Sequence, residues 1–132
     1  FLPPTTIRDA TIKQSLVADG CRIGNGAVGE NSIVGLRCVI GEGAVIRNSI
    51  LMGADYYEFE EGGPSGGQPP LGIGAGSRIE GAIVDKNCRI GRNVVIANEA
   101  GIEEGPEHDA YQVRGGIPVI VKDAVLPDGW RM

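Results

Sequence analysis

Five cations in the second half of the chain have the chemistry to hold a phosphate: Lys86, Arg89, Arg92, Arg114 and Lys122. Arginine fits phosphate oxygens with two parallel N–H donors, while the lysine ammonium acts as a point charge. In an acidic chain such a local basic group stands out, although composition alone favours ordinary surface charge. Catalytic chemistry is poorly supplied. The one histidine, His108, lies in a Gly-Pro-Glu-His-Asp stretch at 105–109 and reads as an exposed loop residue rather than a general base. Without it no Ser/His/Asp constellation can be assembled, and no P-loop or strand-borne GxGxxG is present. The carboxylates are numerous but scattered over loops. No catalysis by this chain alone is expected.

Composition narrows the classes further. A formal net charge of -5 argues against general nucleic-acid binding, which needs a basic face. No apolar run approaches the length of a membrane-spanning helix. At 132 residues the chain suits one domain, and its 22 glycines and 5% aromatics fit a narrow stacked interior better than a globular core. The start, Phe-Leu-Pro-Pro, has neither an initiator Met nor a basic leader. It reads as the start of an excised C-terminal piece, with any targeting peptide in the missing part.

The element that must carry the cations is a repeat. Aliphatic residues fall at Val17, Ile23, Val28, Val34, Ile40 and Ile46, in steps of six, five, six, six and six. The same steps recur at Ile73, Ile79, Val84, Ile90, Ile96 and Ile102. This period is neither helical nor that of a simple alternating strand. It predicts an all-β fold, a parallel β-helix of hexapeptide repeats in which short strands wind around a three-sided prism. Small residues agree: glycines at 24, 29, 35, 41, 74 and 91, one place after the aliphatic, are expected to relieve the corners. Cys21, Ala27, Ser32, Cys38, Ala44, Ser77, Cys88 and Ala100 follow four places after it, as inward partners too small to crowd the prism.

Taken in order, residues 1–6 read as a linker, and looser coils begin at Ile7 and Ile12. The period fails at Gly53, so residues 53–70, acidic and then Gly/Pro-rich, are expected as a loop extruded from a prism corner. Coils resume at Leu71 and are expected to run to Ile102. Residues 111–113 suit a short strand, and 117–121 with 124–126 a last coil. Trp130 is a candidate cover for the exposed strand edges at the end of the stack. Lys86, Arg89 and Arg92 then occupy outer positions of one coil, with Arg114 and Lys122 in the terminal segment. Cys21 and Cys38 should stack in adjacent coils, too far apart for easy disulfide geometry. With Cys88 they read as reduced core thiols, and no spacing suggests zinc. Hexapeptide acyltransferases use a histidine on the coils and γ-class carbonic anhydrases need three. An acyltransferase whose acyl-CoA turnover depends on His108 is one alternative, and a purely structural β-helix is another.

Several segments are more specific than the repeat. Leu-Met-Gly-Ala-Asp-Tyr-Tyr-Glu at 51–58, Gly-Ile-Gly at 72–74, Ala-Ile-Val-Asp-Lys-Asn at 82–87, Arg-Ile-Gly at 89–91 and Val-Lys-Asp-Ala-Val-Leu-Pro-Asp-Gly at 121–129 resemble the C-terminal domain of glucose-1-phosphate adenylyltransferase (ADP-glucose pyrophosphorylase). The plant, algal and cyanobacterial branch is the nearest match, and the similarity covers nearly the whole chain.

The resemblance implies a left-handed β-helix over 7–132, against the usual right-handed crossover rule. It implies a parent that makes ADP-glucose and pyrophosphate from ATP and glucose 1-phosphate with Mg2+, for starch or glycogen, in a plastid stroma or cyanobacterial cytoplasm. The parent would be a homo- or heterotetramer, activated by 3-phosphoglycerate and inhibited by orthophosphate. Partners would be other subunits and the chain's own N-terminal catalytic domain, with no nucleic acid or membrane. The family's effector lysines match Lys86 and Lys122, and the basic group adds Arg114. Neither catalytic residues nor metal ligands are expected. The chain departs from the family pattern in the Gly-rich stretch 59–68 and at the Trp-Arg-Met end. It also lacks the nucleotidyltransferase domain, with its Gly-rich ATP loop and acidic metal ligands.

Overall fold

A computed structural model of the chain describes residues 2–58, 67–105 and 108–132. Three parallel sheets wrap a prism. The first runs β1 (Thr6–Ile7), β4 (Arg22–Ile23), β7 (Val39–Ile40), β10 (Gly72–Ile73), β13 (Arg89–Ile90) and β18 (Val125–Leu126). The second holds β2 (Thr11–Lys13), β5 (Val28–Glu30), β8 (Val45–Arg47), β11 (Arg78–Glu80) and β14 (Val95–Ile96). The third holds β3 (Leu16–Val17), β6 (Ile33–Val34), β9 (Ile50–Leu51), β12 (Ile83–Val84) and β17 (Ile117–Ile120). Each strand is only two to four residues long, so it becomes stable only by pairing in register with the coils above and below. The expected parallel β-helix is the fold.

The inward columns are Ile23, Ile40, Ile73, Ile90 and Leu126 on the first face and Ile46, Ile79 and Ile96 on the second. Val34, Leu51, Val84 and Ile120 fill the third. The sequence pattern misplaces one of them. Val28 is half-buried on the outer side, and Gly29 takes the inward place beside Ile12 and Ile46. A Cβ on Gly29 would lie 3.2 Å from Ile12 Cδ1, so the isoleucine below fills the volume the glycine leaves. The five-residue step therefore falls between Gly29 and Val34.

The corner glycines also have a different cause from the one expected. Gly24 and Gly41 do not carry the left-handed turn; a Cβ there would meet the backbone of the next coil, at 2.9 Å from Glu42 N and 2.6 Å from Ala75 N. Close stacking excludes the side chain. The left-handed residues come two places later, at Gly26 (φ 72°) and Gly43 (φ 66°), while other corners use Asn31 (φ 48°), Asn48 (φ 50°) and Asn87 (φ 62°), a residue type that tolerates this region. Buried serines answer a different need, that of coil amides left without a partner at the corners. Ser32 Oγ donates to Glu30 O (2.8 Å) and accepts from Ser49 N (3.2 Å), and Ser49 Oγ repeats this with Arg47 O and Ala82 N.

Two excursions break the winding. The first leaves at Gly53 and returns at Leu71, as expected, though residues 59–66 of the Gly-rich stretch lie outside those described. The second corrects the sequence reading. Coils do not run to Ile102: the chain leaves the prism at Ala97, and Ala100 is exposed rather than inward. It forms β15 (Glu104–Gly105) and β16 (Tyr111–Arg114), which pair antiparallel with each other and then with β17. Asn98 holds this departure, donating to Ile102 O (2.7 Å) and Gly116 O (2.9 Å) and accepting from Ile102 N. At the far end Trp130 packs on the core, its ring 5.4 Å from Tyr111, with His108 stacked on Tyr111 at 4.9 Å. The backbone also caps the second sheet, with Val95 N–H donating to Trp130 O (2.9 Å). Thr6, placed in the linker by sequence, is already strand, and Thr5 Oγ1 donates to Ala18 O at 2.6 Å.

Candidate functional site

The corner between the third and first faces is a column of two-residue turns at 19–20, 36–37, 86–87 and 122–123, with the root of the first excursion, 53–54, in line between them. Backbone bonds tie each turn to the next: Arg37 N to Asp19 O (3.2 Å), Ala54 N to Leu36 O (2.8 Å), Asn87 N to Gly53 O (3.1 Å) and Asp123 N to Lys86 O (3.0 Å). Lys86 and Lys122 thus occupy the same turn position on adjacent coils, one strand spacing apart, roughly 4.8 Å. Residues 36 apart in sequence are brought together because the second excursion is inserted between them without disturbing the stack. The turns project outward at the corner, so both ammonium groups reach solvent while their backbones stay fixed.

The first excursion begins on this same column, and its residues are fastened one by one. Asp55 Oδ1 accepts from Lys86 Nζ (3.0 Å) and Oδ2 from Asn87 Nδ2 (3.1 Å), while Asp55 N–H donates to Asn87 Oδ1 (2.9 Å). The hydrogen bond from Lys86, then that from Asn87, holds the Asp55 carboxyl below its ordinary range, and Lys122 adds to this from above. Tyr57 donates its hydroxyl to Gly20 O (2.9 Å). Glu58 receives Leu71 N–H (3.1 Å) and pairs with Arg89, whose guanidinium also donates to Pro69 O (3.1 Å). Asp55, Tyr57 and Glu58 of the Asp-Tyr-Tyr-Glu motif therefore bind back to the coils through their side chains. Sequence reasoning used the motif as a mark of resemblance and missed these roles. The acidic and aromatic start of an otherwise Gly/Pro-rich insertion was the available signal.

Glu58 makes the latch between the two ends of the insertion sensitive to acid. Its carboxyl is held below the ordinary value, first by the bond from Arg89. A depressed carboxylate contributes stability above its unfolded pKa and loses it as pH falls through the folded value. As pH falls below the ordinary glutamate range the Leu71 amide should therefore exchange faster relative to the Ile73 amide. Equal acceleration of both would show that the latch is not the acid-sensitive contact.

The remaining cations do not join the lysine pair. Arg89 is consumed by Glu58 and Pro69. Arg92 stands on the next corner, beside a cleft of roughly 590 Å³ bordered by Pro69, Pro70 and Asp128. Arg114 ends β16 opposite Ile117, at the hairpin tip away from Lys122, and pairs with exposed Glu104 at 3.5 Å. His108 sits in the end cap with Nδ1 accepting Ala110 N–H (3.0 Å). Among the described residues no three His, Cys, Asp or Glu side chains form a metal-type group. Cys21, Cys38 and Cys88 are free and buried, and burial pushes the Cys38 thiol up to about 12 and Cys88 to about 11.

Comparison with known proteins agrees with this architecture. The model of the GLGC left-handed parallel beta-helix domain matches residues 1–130. The small subunit of glucose-1-phosphate adenylyltransferase from Triticum aestivum, described as chloroplastic/amyloplastic, is 46% identical over 132 residues. That alignment covers 97% of this chain and 28% of the wheat protein, so the chain spans under a third of the relative's length.

Proposed function

We propose that this chain, which belongs to the family of GLGC left-handed parallel β-helix domains, is the regulatory and assembly domain of a glucose-1-phosphate adenylyltransferase. In this reading Lys86 and Lys122 hold the phosphate of 3-phosphoglycerate, and orthophosphate competes for the same two ammonium groups. The observation that carries it is their common turn position on adjacent coils, which puts two lysines at one spot of a chain with formal net charge -5. Two lysines rooted one coil apart attract one dianion far more than either does alone, because the Coulomb terms add while the ligand is immobilised once. Arg114, on the far end of its strand, is a lesser contributor that would act only on a larger ligand or through a neighbouring domain.

Turnover belongs, in the same reading, to a nucleotidyltransferase domain that uses ATP and Mg2+ to convert glucose 1-phosphate to ADP-glucose and pyrophosphate. The β-helix supplies a stiff platform against which that domain and other subunits of a tetramer pack. The wheat relative's description as chloroplastic/amyloplastic supports a plastid setting. Calorimetric titration of the chain with 3-phosphoglycerate tests the effector assignment. Binding that orthophosphate competes away, and that Lys86→Gln abolishes, is the expected result. Equal binding by the Lys86→Gln protein would remove the assignment.

A further inference from the structure

The carboxylate of Asp55 already occupies an anion position between the donors that a phosphate would need. One oxygen lies on the Lys86 ammonium and the other on the Asn87 amide. Lys122 stands one coil above with no ion pair of its own among the described residues, close enough to act on Asp55 through space. Asp85 and Asp123 flank the lysines in sequence, but Asp85 turns its Oδ1 to the Lys86 backbone N–H (2.7 Å) instead of the ammonium. Among the described residues Asp55 is the carboxylate within ion-pair distance of Lys86.

We propose that Asp55 is a built-in competitor of the phosphate effector, so that the anion binds by displacing this carboxylate from Lys86 and Asn87. This deepens, and rests on, the assignment of Lys86 and Lys122 as the effector site. A phosphate monoester near neutral pH carries about 1.5–2 negative charges and three acceptor oxygens, against one charge and two oxygens for the carboxylate. It can therefore engage Lys86, Asn87 and Lys122 together, whereas Asp55 satisfies only the first two. The exposed Lys86–Asp55 pair is a weak lock, which suits a contact that must open.

Displacement has a structural consequence. Asp55 is the first outward residue of the excursion that leaves at Gly53, and both its backbone N–H and its side chain are fastened to Asn87. An anion that takes the Asn87 amide and the Lys86 ammonium loosens the root of that excursion, while Tyr57–Gly20 and Glu58–Arg89 hold further along. The apparent affinity is lowered by the fraction of molecules in which Asp55 still holds the site. Removing its charge raises that affinity.

Asp55→Asn keeps the size of the side chain and an oxygen that can accept from Asn87. Phosphate titrated into the chain and followed by amide chemical shifts should bind the Asp55→Asn protein roughly fivefold more tightly than the unaltered chain, the worth of one exposed ion pair. Lys86→Gln should lose binding in either background. Equal or weaker binding by Asp55→Asn, with binding still lost in Lys86→Gln, overturns the competitor role and leaves the effector site standing. Binding unaffected by Lys86→Gln overturns the effector site itself, and so does the absence of any shift. If Asp55→Asn does not fold, Asp55→Ser removes the same charge and is read by the same outcomes.

Discussion

Gly74→Val should abolish cooperative folding of the chain, or lower its stability by on the order of 3 kcal/mol or more. A Cβ at position 74 would fall inside contact distance of the Gly91 carbonyl, and both partners are backbone held in the parallel ladder by Gly74 N–H to Ile90 O (2.8 Å). No side chain can rotate away, so the coils themselves must separate. That separation strips the adjacent ladder bonds and opens the interior between Ile73 and Ile90, both buried. The contrast is Gly81, which has a left-handed φ of 61° and nothing within 4 Å of a Cβ. Asn31 and Asn48 hold the equivalent turn two coils and one coil below, where Asn31 Nδ2 donates a hydrogen bond to Asn48 Oδ1 (2.9 Å). Gly81→Asn should therefore change stability by less than about 0.5 kcal/mol, since tolerated strain is offset by lower entropy of the unfolded chain. Chemical denaturation of the two variants measures both. A Gly74→Val protein as stable as the unaltered chain would mean that the coils can slide apart, and close stacking would cease to explain the corner glycines.

The second large effect concerns regulation. In an adenylyltransferase carrying this domain, Lys86→Gln with Lys122→Gln should raise the 3-phosphoglycerate concentration for half-activation by on the order of 100-fold, with unactivated turnover retained. Each lost charge-assisted contact is worth about 1.5–3 kcal/mol. The two share one phosphate, so the double substitution should cost less than the sum of the singles. The activation curves of the four proteins measure this. Strict additivity would indicate two separate anion sites, and an unchanged curve would leave the domain a structural scaffold.

Much of the fold was legible because a six-residue aliphatic period has few structural solutions. Where the reading slipped, a local tertiary fact outranked the pattern. Gly29 stands inward because Ile12 below it supplies the missing volume, which no one-dimensional period can express. Ile102 continued the count by coincidence of spacing, while Asn98 gathers the loop carbonyls of Ile102 and Gly116 and so turns the chain off the prism. The glycines were found for the wrong reason, since the spacing marks corners but not the approach of the next coil.

The candidate site was legible only in part. The resemblance pointed to Lys86 and Lys122, and the stacking of their turns follows from coil geometry once the second excursion is set aside. Arg114 entered through charge alone, and strand β16 carries it to the end of the hairpin away from Lys122. Asp55 escaped notice because a carboxylate thirty-one residues before Lys86 gains meaning only when Gly53 and Lys86 are seen as consecutive turns of one column.

The central claim is that Lys86 and Lys122 are two halves of one phosphate site. A residue-resolved titration of the chain with inorganic phosphate tests it most directly. With one shared site, the amides of Lys86, Asn87, Lys122 and Asp123 shift together along a single saturation curve, with Arg114 and Arg92 unmoved. Shifts that saturate separately at the two turns, or that centre on Arg114 or Arg92, would contradict it.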